Sequence, residues 1–355
     1  MKTFVSRISM VQQLMLFLLV MTLLSACDKN PIEPIDPVIP PKSKAALWVG
    51  SEGLFQHGDA SLMYVDIHGN KIYPDVFKSV NNRALGDVLQ SINIWKENVY
   101  LVVNNSQKIE IIDRNSFTST GTITGFSSPR FIEFQNDEKA YVSEFYTNFL
   151  KIINPKTRVI SGSIDCGGWQ EEIRLFENKL YVTVYSKNKV LVIDTQTDQV
   201  IDSVVVGTQP VSLNFDALNR LWVGCDNGDN NVRLYRINTV NFQVEKSVQF
   251  PSKTFRKLTL STNRKTLYVL CEYLYRMDLQ DTLDLLPGSQ FLTVGGSANS
   301  LYSIAIDPQN DDIYLADVHD FQQVSDILRY GKYGNYQGQF KSGINAGSFY
   351  FDYGQ

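Results

Sequence analysis

The sequence predicts an all-β fold: a seven-bladed β-propeller of four-stranded antiparallel blades, closed by pairing of the N- and C-terminal strands in one blade. Three observations predict it. Apolar strands centred on an aromatic recur seven times, at Trp48, Tyr100, Tyr141, Tyr181, Trp222, Tyr268 and Tyr314. After a first interval of 52 residues these anchors stand 40 to 46 apart, the spacing of four short strands and their turns. The chain also enters its repeats through AALWV and leaves them through GSFYFD (347–352). The first reads as the second strand of a blade and the second as the innermost strand that blade lacks. Pairing the two removes the open sheet edge.

The clearest repeat runs over residues 180–215. LYVTV and KVLVID are successive strands, TQTDQ is a turn, VIDSVVV is the outer strand, and GTQP leads into the next inner strand, VSLNF. Side chains at Asp194 to Asp198 can hydrogen-bond their own backbone and close that hairpin. Matching turns begin at Asp113, Asn154 and Asn238, with variants at Asp66 and Asp278. Beyond the N-terminal leader, no stretch carries a long 3.6-residue periodicity. The 18 tyrosines and 20 phenylalanines, with abundant Val and Ile, favour strands as well.

The N-terminus reads as an address and a tether. Lys2 and Arg7 precede the apolar run Leu14 to Leu24, about the length of a signal peptide and too short to span a bilayer. Leu24-Ser25-Ala26-Cys27 resembles a bacterial lipobox, so residues 1–26 are expected to be removed and Cys27 lipidated. Residues 27–44 hold prolines at 31, 34, 37, 40 and 41 and read as an extended spacer. Residues 45–355 form the propeller. The expected product is held on a membrane by its acyl chains.

Composition narrows the function. With 20% charged residues, 43% hydrophobic residues and a net charge of −4, the chain lacks the basic footprint of a nucleic-acid binder. Three histidines, His57, His68 and His319, are too few for a centre built on several imidazoles. No nucleophile elbow, Walker loop or dinucleotide fingerprint occurs in a supporting context. The inner strands VSLNF, RFIEF and YSIAI offer few inward acids, so no catalytic residues are assigned and no cofactor is expected.

In this strand order, the loops after each second strand and those before each inner strand share one face. They supply Phe55, His57, Arg83, Asn104, Arg130, Tyr146, Trp169, Gln170, Tyr185, Arg256, Tyr273 and Phe321 as ligand-binding candidates. Rigid aromatics with amide and guanidinium donors suit capture of a large, flat ligand better than bond cleavage. His57 and His319 fall in equivalent loops of neighbouring blades, with Asp59, Asp317 and Asp320 close in sequence. No tight ligand spacing supports a metal there, and none is assigned. Asp226 to Asn230 lacks the distal Glu of a calcium loop and reads as a polar turn. Cys166, Cys225 and Cys271 read as free thiols.

EGLFQHGDASLMYVD (52–66), VVNNSQKIEIID (102–113), SSPRFIEF (127–134), CGGWQEEI (166–173) and GQFKSGINAGSFYFD (338–352) resemble the YncE-like propeller lipoproteins of Bacteroidetes surfaces. The resemblance covers about residues 46–352. It implies outer-membrane anchoring with cell-surface exposure, and capture of a corrinoid such as cobalamin on one propeller face for delivery to a TonB-dependent transporter. The aromatic and amide loops would then meet the corrin, and His57 or His319 could approach its cobalt. Two other readings stay open: an interaction platform at the cell surface, and a metal-dependent propeller hydrolase or lyase.

Overall fold

The computed structural model describes residues 39–226, 232–252, 254–279, 289–292 and 300–354. The expected signal peptide, Cys27 and the first part of the spacer lie outside the described residues. Seven four-stranded antiparallel sheets follow one another, and in six of them the strands run in sequence order. The seventh joins the two ends of the ring. Ala346–Asp352 pairs with Ala46–Ser51 along its length, Trp48 opposite Tyr350, and Ser61–Asp66 and Lys71–Tyr73 complete the blade. That is the closure the terminal strands predict.

The recurring aromatics are what hold neighbouring blades together. Each of the seven anchors is at most 3% exposed. Each sits in a separate apolar cluster built from two adjacent blades. Tyr100 packs on Phe134 at 4.7 Å, Tyr181 on Phe215 at 5.0 Å and Tyr314 on Phe351 at 5.3 Å, each partner lying in the inner strand of the following blade. Tyr141 instead donates its hydroxyl to Asp198 in the next blade's turn, at 2.6 Å. Burying one such ring stabilises by about 2–3 kcal/mol, so interfaces that repeat around a closed ring reinforce one another.

Five of these turns form as their sequences predict, and the one after Asp278 lies outside the described residues. Asp113, Asp194 and Asn238 each accept two backbone N–H bonds from the residues just ahead, and Asn154 and Asp66 accept one each. The residue four positions later is left-handed in every case: Asn70, Phe117, Arg158, Asp198 and Phe242, with φ between 49° and 60°. A short side-chain acceptor and one left-handed residue let each outer hairpin turn back tightly.

One element departs from the sequence reading. Val76–Asn81 is a short helix, capped by Asp75, whose side chain accepts from the Lys78 N–H at 3.3 Å. It buries Val76 and Phe77 between the first two blades and accounts for the long first interval between anchors. Among the described residues, no helix is long and apolar enough to cross a membrane.

Candidate functional site

A cavity of about 350 Å³ occupies the centre of the ring. Residues from all seven inner strands line it, and Glu52 joins them from the loop above the first blade. Its composition follows from a repeated irregularity. In a regular strand, consecutive side chains face opposite ways. Here the register slips at the start of the inner strand in blades two, three, four, five and seven, at Leu89/Ser91, Pro129/Ile132, Gln170/Ile173, Pro210/Ser212 and Leu301/Ser303. A bulge of this kind re-aims side chains. Consecutive residues line the cavity at each slip, Gln90 and Ser91, Arg130 and Phe131, Glu171 and Glu172, Val211 and Ser212, Tyr302 and Ser303, and Arg256 and Lys257 line it in the sixth blade.

The result is a charged channel, which corrects the expectation of few inward acids. Glu52, Glu133, Glu171 and Glu172 share it with Arg130, Arg174, Arg256 and Lys257. At the mouth, Arg130 donates to both oxygens of Glu171 at 2.5–3.0 Å and to Gln90 Oε1 at 2.5 Å. Deeper in, Arg174 bridges Glu172 at 2.7 Å and Glu133 at 3.1 Å. The second oxygen of Glu172 accepts from the Ser212 hydroxyl and the Leu213 N–H, at 2.7 and 3.0 Å. Burial pushes the Glu133 and Glu171 carboxyls above the usual range, with Arg174 and Arg130 respectively opposing it. Burial raises Glu52 too, against the Tyr302 hydroxyl that donates to it at 2.8 Å. Gly347 makes room for Glu52, because a Cβ there would stand 2.7 Å from Glu52 Oε1.

Two aromatic groups flank this mouth. Above blades three and four, Phe145 contacts Tyr146 at 4.8 Å, Tyr185 at 5.0 Å and Trp169 at 5.4 Å. Tyr146 and Trp169 meet at 5.2 Å, and the Arg130 guanidinium lies 5.4 Å from the Phe145 ring. Tyr146 is 69% exposed and Trp169 37%. Tyr146 also holds a left-handed backbone, φ 63°, a conformation unfavourable for a bulky side chain. On the other flank, Arg256 lies 5.5 Å from Tyr302 and 5.9 Å from Phe321.

Of the twelve candidates read from the sequence, Arg130, Tyr146, Trp169 and Tyr185 thus come together, and Arg256 and Phe321 form the second group. Phe55 and His57 are exposed in the loop above blade one, and Tyr273 is exposed in the sixth blade's loop. Three others do internal work. Arg83 pairs with Glu110 at 2.6 Å and stacks on Phe77, joining blades one and two. Asn104 donates to Ser128 Oγ and the Pro129 carbonyl, both at 2.9 Å. Gln170 is fully buried and donates to the carbonyls of Thr147, at 3.0 Å, and Gly168.

His319 is engaged by Asp326 at 3.0 Å and Asp317 at 3.5 Å, while His57 points into solvent. Among the described residues, no three His, Cys, Asp or Glu side chains converge as a metal cluster would require. The polar turn after Asp226 lies outside the described residues. Cys166, Cys225 and Cys271 are buried and free, and burial pushes each thiol up to about 12.

A family model described as a domain of unknown function, DUF5074, matches residues 46–352, and the chain belongs to that family. No curated protein matches it. Among solved structures, it is similar to a quinoprotein alcohol dehydrogenase-like protein from Bacteroides thetaiotaomicron, at TM-score 0.67 and 14% identity over 87% of this chain and 78% of that one. It is similar to a candidate 6-phosphogluconolactonase from Bacteroides fragilis, at TM-score 0.66 and 12% identity over 88% and 99%. A protein of unknown function from Desulfotomaculum acetoxidans matches at TM-score 0.65 and 14% identity, over 87% and 99%. At these identities the likeness shows the fold alone.

Proposed function

We propose that the protein is a capture module: it binds a planar, polar small molecule across the mouth of its central channel and breaks no bond in it. The observation that carries this reading is the cluster of Phe145, Tyr146, Trp169 and Tyr185 around Arg130, with two of its rings exposed at the rim. Rings fixed by one another offer flat apolar area at little entropic cost, and the neighbouring polar groups orient what lands there. A channel of about 350 Å³ admits only part of a macrocycle, so such a ligand would lie over the mouth.

The YncE-like resemblance makes a corrinoid the first ligand to test, with its amide side chains meeting the polar rim. In the same reading, Cys27 carries the lipid, the proline-bearing segment lifts the ring off the outer membrane, and a TonB-dependent transporter receives the ligand. Calorimetric titration with cyanocobalamin, with a panel of sugars alongside, tests the reading. One-to-one binding supports corrinoid capture. No heat from cyanocobalamin removes the corrinoid assignment, and no heat from the whole panel removes the proposed capture site.

A further inference from the structure

Among the described residues the channel holds four acids, and every one is engaged. Glu52 accepts from Tyr302, Glu171 pairs with Arg130, and Glu133 and Glu172 pair with Arg174. Of the four cations, Arg130 and Arg174 are used in this way. Arg256 and Lys257, consecutive residues at the start of the sixth blade's inner strand, make no ion pair within 4.0 Å among the described residues. Arg256 is held in place by the Tyr302 and Phe321 rings. Lys257 influences Glu172 only at longer range, and Glu172 is already saturated by Arg174, Ser212 and Leu213.

A cation left without a counter-ion in a part-enclosed cavity pays a desolvation cost that its surroundings do not return. Burial pulls the Lys257 ammonium below its usual range; Glu172 opposes this and Arg174 adds to it. An arriving anion reverses that imbalance. Two cations that line one cavity, neither in an ion pair and reaching Glu52 and Glu172 only at longer range, are the donor set that a carboxylate or phosphate requires.

We propose that Arg256 and Lys257 form a subsite in the central channel for a compact oxyanion, a carboxylate or phosphate carried on a small organic molecule. The inference rests on reading this face as a ligand site, and it names one chemical group the ligand must carry.

The test is calorimetric titration of the purified protein with benzoate, inorganic phosphate and uncharged benzamide. Benzoate or phosphate binds, benzamide does not, and the stronger of the two anions identifies the source of the charge. Lys257→Met weakens that anion at least about tenfold, and Lys257→Arg weakens it less. Should Lys257→Met fail to fold, Arg256→Gln carries the test on the same terms, with a thermal melt confirming the fold of each variant. Binding of neither anion overturns the proposal. Equal affinity in the wild type and a folded variant lacking the cation also overturns it. Cyanocobalamin is titrated separately, so corrinoid capture can fail while anion binding stands, and the reverse.

Discussion

Arg114 and Asp352 lock the ring where its two ends meet. Arg114 sits in the outer turn of the second blade, and Asp352 ends the strand that completes the first. Nε donates to Oδ2 at 2.6 Å and Nη2 to Oδ1, and both side chains are about nine-tenths buried. Removing the guanidinium leaves a largely buried carboxylate with much of its compensation gone. Arg114→Met is therefore expected to cost about 3 kcal/mol, read as a lower urea midpoint at neutral pH.

The same pair sets an acid limit. Burial alone would raise the Asp352 carboxyl, but hydrogen bonds from Arg114 and the Gly354 N–H hold it below the usual range. A depressed carboxyl contributes stability that is present above its unfolded pKa, about 3.9, and lost as pH falls through the folded value. The wild type should lose stability below about pH 4, and Arg114→Met should lose less over that window. Parallel acid-side slopes in the two proteins would count against the pairing.

Glu52 works in the opposite direction. Burial raises its carboxyl, so the neutral form is favoured in the folded protein. Its contribution is full below the unfolded pKa, about 4.3, and disappears as pH rises through the raised folded value. Glu52→Gln keeps an oxygen for the Tyr302 hydroxyl and removes the titration. Urea midpoints followed from about pH 4 to pH 8 should decline less in Glu52→Gln than in the wild type.

The blade count was legible because each anchor serves the same purpose at the same place. Each must fill an interface with the next blade, so the aromatic recurs wherever the ring does. The channel was not legible, for a physical reason. Strict alternation would place only one of Glu171 and Glu172 inward, and the slip between Gln170 and Ile173 brings in both. QEEIR does show the charges, and nothing in it announces the bulge. The helix Val76–Asn81 was missed because six residues cannot display a 3.6-residue period, although the long first anchor interval marked the insertion.

The thiols give a direct check on burial and on the N-terminus. Burial pushes Cys166, Cys225 and Cys271 up to about 12, so few thiolates exist at neutral pH and solvent does not reach them. Ellman's reagent should find none of these three in the folded protein and all three after urea. A fourth reactive thiol is Cys27 and marks a chain that has not been acylated.

Trp169 and Gln170 are neighbours with opposite duties, which makes them the sharpest test of the mouth. The Trp169 ring is partly exposed and leans on Phe145 and Tyr146, while the residue's backbone N–H donates to the Ser186 hydroxyl at 2.9 Å. Trp169→Ala keeps that backbone bond and removes only the ring. It should leave the melting temperature within a degree or two and weaken the captured ligand at least about tenfold, the usual cost of removing an aromatic anchor. Gln170 is fully buried and ties Thr147 and Gly168 to the Glu144 N–H, which donates to its Oε1 at 3.3 Å. Gln170→Ala leaves those backbone groups unsatisfied and should cost about 2–3 kcal/mol of stability together with binding. Equal melting losses in the two variants would make Trp169 a packing residue and remove the reason to place a ligand on it.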